Sequence, residues 1–158
     1  TTPCGARRLA PGRVRIAMIR SAVEMAAVPA RAAPEMAALA GDLFGMAFPP
    51  SPDALQVSFI NLNPIAHAVL ALANVTRIER GEDWPQYAMM TPFACNLMQA
   101  MAAERAAVAR AYGHEVPSIE THFHRANGVP TGPLAEMTAA IAAARSEILG
   151  PKTTESRY

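Results

Sequence analysis

The residues best suited to chemistry lie in the run Asn61-Leu62-Asn63-Pro64-Ile65-Ala66-His67. Pro64 fits the first position of a helix, because the N–H that proline lacks would have no intrahelical partner there, and Asn63 is a good capping residue just before it. The run therefore predicts that His67 lies about one turn into a helix. The positive end of a helix disfavours imidazolium, so a neutral His67 could give or take a proton near neutral pH.

The other three histidines do not form a recognisable metal site. On a helix, His122 and His124 would point about 200° apart, and no Cys, Asp or Glu completes a ligand set with them or with His114. No P-loop, GxGxxG turn or GxSxG elbow occurs in the sequence. The motifs therefore predict neither a metal nor a phosphate-binding loop of known type.

Composition and charge exclude few functions. The chain has 158 residues, of which 51% are hydrophobic, so it can bury one core. Its formal net charge of +1 gives no global reason to expect a nucleic acid or an anionic membrane as partner. The one cluster of arginines, between residues 7 and 20, is interpreted as the solvated face of a hairpin.

The spacing of the cysteines and the lengths of the apolar runs indicate in which cellular compartment the protein is expected. Cys4 and Cys95 are far apart and form no CxxC pair, which argues against a disulfide scaffold and favours a reducing compartment. Prolines and charged residues interrupt every apolar run before the ~20 residues of a membrane span, and no secretory signal is present. A cytoplasmic protein is expected. The chain begins with Thr1, which processing and truncation explain equally well.

Strand patterns are confined to the first 60 residues. Val14, Ile16 and Met18 alternate with other residues after Pro11-Gly12, so residues 6–19 are predicted to form a hairpin. An amphipathic helix is expected after Pro34, and residues 55–60 are interpreted as a second strand.

The remainder of the chain is predicted to be helical. Helices are expected over about residues 64–74, 91–112, 118–126 and 133–148, with Thr91 as the cap of the longest. The predicted buried stripe of the 64–74 helix is Ile65, Val69 and Leu72, while His67 and Asn74 share another face. The predicted buried stripe of the longest helix is Phe93, Leu97, Met101, Val108 and Tyr112. The fold class is therefore mainly α, with the strands at the N-terminal end.

Several short motifs together resemble one enzyme family. They are Thr-Thr-Pro-Cys-Gly-Ala-Arg at 1–7, Pro-Gly-Arg-Val-Arg at 11–15, Asn-Leu-Asn-Pro-Ile-Ala-His at 61–67, Asn74, Arg77-Ile78-Glu79, Ala103-Glu104-Arg105, and Gly150-Pro151 followed by the terminal Arg157-Tyr158. In this order the chain resembles the octopine/nopaline (opine) dehydrogenase family along nearly its whole length. Proteins of that family have an N-terminal Rossmann domain for NAD(P) and an all-helical C-terminal domain, with the substrate bound between them.

The resemblance implies a domain plan. Residues 1–54 would be the C-terminal part of a dinucleotide-binding domain, and residues 55–158 an all-α substrate-binding domain that is incomplete at its C-terminus. The Gly-rich turn that opens such a nucleotide domain is missing. The chain is thus expected to be a fragment, inactive by itself, whose NAD or NADP is bound mainly by a part outside it.

The resemblance also implies a reaction and its residues. The family condenses an amino acid with a 2-oxo acid and reduces the product with NAD(P)H. It places the catalytic proton donor and acceptor at His67 and a carboxylate-binding arginine at Arg157, and Asn63 and Asn74 are expected to orient His67 or the substrate. Which substrates and which nucleotide are used is left open, as is the oligomeric state, a homodimer included.

Two alternatives remain at the level of sequence. Other two-domain dehydrogenases, of the ketopantoate reductase or glycerol-3-phosphate dehydrogenase type, use a lysine in the site, whereas this chain has only Lys152. A non-catalytic helical interaction module, with His67 as a core residue, belongs to a different class.

Overall fold

A computed structural model describes residues 2–146 and 148–155, with the backbone alone at residues 7, 17 and 18. The described part is mainly α-helical, as predicted, and one two-stranded sheet precedes its helices. The chain divides into two compact units, an N-terminal unit of residues 1–61 and a helical unit of residues 62–158. That the first residues belong to a dinucleotide-binding domain, with a boundary at 54/55, stays a prediction.

The N-terminal unit begins with the expected hairpin. Strand β1 (Cys4–Ala10) pairs antiparallel with strand β2 (Arg13–Ile19). Pro11 and Gly12 form the turn, and Gly12 has φ 72°, a backbone conformation that glycine adopts without steric cost. Arg8, Arg13 and Arg15 are exposed, so the arginine cluster lies on a solvated hairpin.

A short 3-10 helix (Ala30–Ala32) and two α-helices complete the N-terminal unit, and one of the α-helices corrects a prediction. Helix α1 (Ala33–Phe44) follows the start signal at Pro34 and ends at Gly45. Residues 55–60, interpreted above as a strand, lie in helix α2 (Ala54–Ile60). The Asp53 side chain accepts a hydrogen bond from the Gln56 backbone N–H at 2.9 Å, which caps the helix. A short apolar run has no periodicity of its own, so this cap decides its conformation.

The helical unit contains the remaining five helices of the described chain. They are α3 (Asn63–Ala73), α4 (Val75–Glu79), α5 (Pro92–Ala111), α6 (Ile119–Asn127) and α7 (Leu134–Ala144). Thr91 caps α5 through the Ala94 N–H, as predicted, and Ser118 caps α6 through the Thr121 N–H. Helix α5 packs against α3 and α7, and α6 packs against α7. The core between them includes Val69, Leu70, Trp84, Met98, Leu134 and Ile141.

The buried face of helix α5 matches the predicted one only in part, since Leu97 and Met101 of the predicted stripe are partly buried against the core. Its buried residues are Ala94, Cys95, Met98, Ala102 and Ala109, whereas Phe93 and Tyr112 are 70% and 64% exposed. The same error occurs in α3, where Leu70 is buried and Leu72 is 67% exposed. In α5 the buried face is rich in alanine, and small residues let two helices approach closely, so Phe93 and Tyr112 are left exposed.

Residues 54–73 correct the expectation that no apolar run is long enough to cross a membrane. By length and composition alone, this helical stretch reaches that threshold. Its backbone leaves the helical conformation at Asn61, where ψ is 106°. Core helices share this composition, and Ile65, Val69 and Leu70 of α3 do lie in the hydrophobic core.

Candidate functional site

His67 is the fifth residue of α3, and its side chain is half-buried. Burial disfavours the charged ring, so the pKa of His67 is lowered below its ordinary value of 6.5. The imidazole is therefore neutral at pH 7. A neutral ring can accept a proton from a substrate and later return it.

The start of α3 differs in detail from the predicted cap. The helix begins at Asn63 itself, and Leu62 takes the capping position without a side-chain hydrogen bond. The Leu62 carbonyl accepts hydrogen bonds from the N–H groups of Ile65 and Ala66, at 3.1 and 2.9 Å. Pro64 lies in the first turn as expected, where its missing N–H costs nothing. The element before this start is helix α2, not a strand.

On one face of α3 the side chains become progressively less exposed from the start of the helix to its end. Asn63, His67, Ala71 and Asn74 follow one another at spacings of three or four residues, which places them on a common stripe. Asn63 is exposed, His67 and Ala71 are half-buried, and Asn74 is only 5% exposed. His67 thus lies where the polar, accessible end of the stripe meets its buried end.

Asn74 lies between the end of α3 and the start of α4, and its side chain stabilises this connection. Its side-chain Nδ2 donates to the Leu70 carbonyl at 3.0 Å and to the Met89 carbonyl at 3.5 Å. These bonds tie the end of α3 to the segment that leads into α5. Any role of Asn74 toward a substrate or toward His67 stays a prediction.

Arg157, the predicted carboxylate-binding residue, lies outside the described residues. Its position relative to His67 is therefore still a prediction from the sequence.

A second arginine, Arg105, was named in a motif of the family resemblance but not predicted as a site residue. Arg105 is half-buried on α5, and its Nη2 donates to the Pro117 carbonyl at 3.0 Å, just before α6. Burial lowers the pKa of Arg105. Nearby along the same helix pair, Gln99 Nε2 donates to Glu120 Oε1 at 2.7 Å. These polar contacts fasten α6 to α5, and Arg105 belongs to one of the motifs that carry the family resemblance.

Trp84 anchors a contact between chain segments that are far apart in sequence, which we call the clasp (residues 83–86 with residues 148–152). Its indole is completely buried, and Nε1 donates to the Pro151 carbonyl at 2.9 Å. The Gly150 N–H donates to the Trp84 carbonyl at 3.0 Å, and the Gln86 N–H donates to the Ile148 carbonyl at 2.9 Å. Trp84 therefore anchors the residues on both sides of it to the hydrophobic core.

Two further contacts close the clasp. A Cβ atom at Gly150 would overlap the indole ring of Trp84, so only glycine fits there. Lys152 Nζ lies 2.6 Å from Asp83 Oδ1, and both side chains are at least half exposed. Such an exposed ion pair is worth at most about 1 kcal/mol, so the indole packing and the three hydrogen bonds hold the clasp.

The described residues do not fit a dinucleotide or a metal ion. The pyrophosphate site of a Rossmann fold needs a strand followed by a Gly-rich turn and a helix. The described residues form one antiparallel hairpin and two isolated parallel bridges, Ala22 with Ala47 and Met25 with Pro50, and no Gly-rich turn follows any of them. Among the described residues, no group of three or more His, Cys, Asp or Glu side chains could hold a metal ion. Cys4 and Cys95 are both free thiols.

Comparison with known proteins points to one family. The model of the α-helical domain of NAD/NADP octopine/nopaline dehydrogenases matches residues 50–158, which is more than half of the chain. An opine dehydrogenase from Arthrobacter sp. (strain 1C) is 29% identical over 152 residues. That alignment covers 94% of this chain and 41% of the Arthrobacter protein, so the chain spans about two fifths of the length of this relative.

Proposed function

Since the chain belongs to the octopine/nopaline dehydrogenase family, we propose that it is the substrate domain of an NAD(P)-dependent oxidoreductase of the opine dehydrogenase type. In the proposed reaction the α-amino group of an amino acid condenses with a 2-oxo acid, and the resulting C=N bond is reduced. The observation that carries the proposal is the family match over residues 50–158, because this range includes all of α3 and therefore His67.

His67 is proposed as the acid and base of the site. Condensation of an amine with a carbonyl requires protons to be moved between nitrogen, oxygen and a protein group, and a side chain with a pKa near the working pH does this efficiently. His67 is the half-buried, neutral imidazole near the start of α3, which supports this role. It accepts a proton when neutral and donates one when protonated.

The other predicted residues complete the proposed site. Arg157 would bind the carboxylate of the 2-oxo acid, since a guanidinium offers two parallel N–H groups to the two carboxylate oxygens. Asn63 shares the accessible end of the α3 stripe with His67, where its amide can contact substrate. Asn74, at the buried end, would keep α3 and hence His67 in place through its bonds to Leu70 and Met89.

NAD or NADP is proposed as the cofactor of the whole protein. Because the described residues provide no pyrophosphate site, we assign its binding mainly to residues outside this chain. No residue of the chain is assigned to the nucleotide.

The ion pair of Lys152 favours this proposal over a dehydrogenase of the ketopantoate reductase or glycerol-3-phosphate dehydrogenase type, which uses a lysine in its site. It is the one lysine of the sequence, and it pairs with Asp83 in the clasp.

A specific observation favours a second candidate, the helical interaction module: Phe93 and Tyr112 of α5 are largely exposed and would suit a docking face.

The proposal is tested by substituting His67→Gln in the full-length protein and measuring amino-acid-dependent NAD(P)H oxidation over a panel of 2-oxo acids. Loss of a general acid–base is expected to reduce kcat by about 10²- to 10⁴-fold. His124→Gln is the matched control, because His124 is exposed on α6, where its Nδ1 lies 2.7 Å from the Val129 carbonyl oxygen. Undiminished turnover in His67→Gln would refute the catalytic role, and an inactive wild-type protein would favour the interaction module.

A further inference from the structure

Three parts of the helical unit meet at Arg145, the residue that directly follows α7. The Gln86 N–H of the clasp donates to the Ile148 carbonyl at 2.9 Å, and the Ile148 N–H donates to the Arg145 carbonyl at 3.2 Å. The side chain of Arg145 reaches the end of α6, where its Nη1 donates to Asn127 Oδ1 at 3.2 Å. The clasp and the ends of α6 and α7 are thus joined at one arginine.

The positive charge of Arg145 is partly withdrawn from water. The residue is half-buried, and among the described residues it makes no ion pair. Its side-chain acceptor is the uncharged amide oxygen of Asn127, which holds one side of the guanidinium. Because a charge that is removed from water is stabilised by a counter-charge, an anion at Arg145 would be favourable.

Tyr87 brings a hydroxyl to the same region. It lies in a backbone turn directly after the clasp, and the Met90 N–H donates to its carbonyl at 3.2 Å. The ring of Tyr87 is half-buried against the hydrophobic core. Burial raises the pKa of Tyr87, and the nearby positive charge of Arg145 opposes this rise. The phenol is therefore protonated at neutral pH, and its O–H can donate a hydrogen bond.

Together the two side chains offer what a carboxylate requires. A guanidinium presents parallel N–H groups to the two oxygens of a carboxylate, and a phenol adds an O–H donor. The single charge of Arg145 also matches the single charge of a carboxylate, whereas a phosphate monoester carries about −1.5 to −2 at pH 7. A carboxylate is therefore the anion that fits this pair best.

We propose that Arg145 and Tyr87 form a binding site for the carboxylate of a small molecule. The site goes beyond the proposed function, because no part of it depends on His67. The carboxylate belongs either to one of the proposed substrates or to a separate effector. Both sources would make the same contacts, and steady-state kinetics separate them.

The probe is sodium acetate, which is titrated into the isotope-labelled full-length protein at constant ionic strength with chloride as the balancing anion. We expect saturable changes in the amide chemical shifts of Tyr87, Asn127 and Arg145. Arg145→Gln should weaken acetate binding about tenfold or more, and Tyr87→Phe about threefold or more, because each removes a donor to a charged group. Arg145→Lys keeps the charge but loses the parallel N–H groups, so its affinity should lie between those of Arg145→Gln and the wild type.

Arg110→Gln is the matched control for the change in charge. Arg110 is exposed in the last turn of α5, so the substitution removes one positive charge from the same helical unit. The affinity for acetate should stay within twofold of the wild type. An equal loss of affinity in Arg110→Gln and Arg145→Gln would show that acetate responds only to net charge, which would overturn the proposal.

The remaining outcomes also decide the proposal. It is overturned if the three amides show no saturable shift, or if Arg145→Gln binds acetate as tightly as the wild type. If Arg145→Gln fails to fold, Tyr87→Phe gives the same test, because it leaves the bond between Arg145 and Asn127 intact.

Kinetics of Arg145→Gln then identify the source of the carboxylate. A raised KM for one substrate assigns the site to the carboxylate of that substrate. Weaker acetate binding with every KM unchanged assigns it to a separate effector, and both results support the site. Because acetate binding is measured without turnover, a failure of the role proposed for His67 would leave this test unaffected.

Discussion

His67 shows how far a single residue can be interpreted from sequence. Its place near the start of a helix follows from Asn63-Pro64, because proline at a helix start is a local steric preference. Its partial burial depends on how α3 packs, and no local pattern encodes that. The sequence thus predicts the position of the imidazole, whereas the cause of its lowered pKa, burial, required the structure.

The pKa of His67 predicts a pH dependence of stability. The folded-state pKa lies below 6.5, so between 6.5 and that lower value the unfolded chain binds a proton that the folded chain does not. The free energy of unfolding should therefore fall as the pH drops through this window, with no further change from His67 below it. Above pH 6.5 the residue contributes nothing.

Denaturant unfolding between pH 5 and pH 7.5 measures this effect. The profile of His67→Gln should be flatter than that of the wild type below pH 6.5. Parallel profiles for His67→Gln and the wild type would contradict the assigned cause.

The two cysteines should differ in reactivity. Cys95 is 1% exposed, and burial raises the pKa of its thiol, so both access and the thiolate fraction are low. Cys4 is only partly buried at the start of β1. With a thiol-specific dye, we expect one fast-reacting group per native chain and a second only after unfolding. Two equally fast groups in the native protein would show that Cys95 is accessible.

At the scale of elements, helix ends could be predicted better than helix faces. The caps Thr91 and Ser118 act through hydrogen bonds to residues three positions along, so the local sequence contains both partners. Which face of α5 is buried depends on α3 and α7, and abundant alanine makes every face equally compatible with close packing. The sequence therefore predicts a buried stripe of which Leu97 and Met101 do pack against the core, whereas Phe93, Val108 and Tyr112 are exposed.

At the same scale, the packing of Gly150 against Trp84 predicts how Gly150→Ala changes the free energy of unfolding. Gly150→Ala places a Cβ within the indole of Trp84, which the core holds on all sides, so either the clasp or the ring must move. Overpacking of this kind costs about 1–3 kcal/mol, and we expect a loss near the upper end. Gly132→Ala, where the added Cβ meets nothing, should change the free energy of unfolding by less than about 1 kcal/mol. Equal stabilities of the two variants in denaturant unfolding would show that the clasp yields freely.

The whole molecule combines two units of different character. Residue types favouring helices continue from Asn63 onward, so the all-helical character of the second unit could be predicted. The N-terminal unit could be predicted only in part: the hairpin has a clear alternation and turn, while residues 55–60 required the Asp53 cap to be recognised. The clasp could not be predicted, because it joins residues more than sixty positions apart.

At this scale we expect the 158-residue chain alone not to bind the nucleotide. Neither its antiparallel hairpin nor its two isolated parallel bridges are followed by the Gly-rich turn that a pyrophosphate site needs. Calorimetric titration of the chain with NADH and with NADPH should give no saturable heat, whereas the full-length protein should bind one of the two. Saturable binding by the chain alone would contradict the assignment of the nucleotide site to residues outside it.

The separation of Trp84 from Gly150 also has a consequence during synthesis. Local helices form within microseconds, far faster than a ribosome adds residues. α3 to α7 can therefore be helical on a nascent chain while the indole of Trp84 still lacks its cover. Until residues 148–151 emerge from the ribosome, the largest side chain of the core remains accessible to chaperones, so burial of Trp84 would report that this part of the chain has been completed.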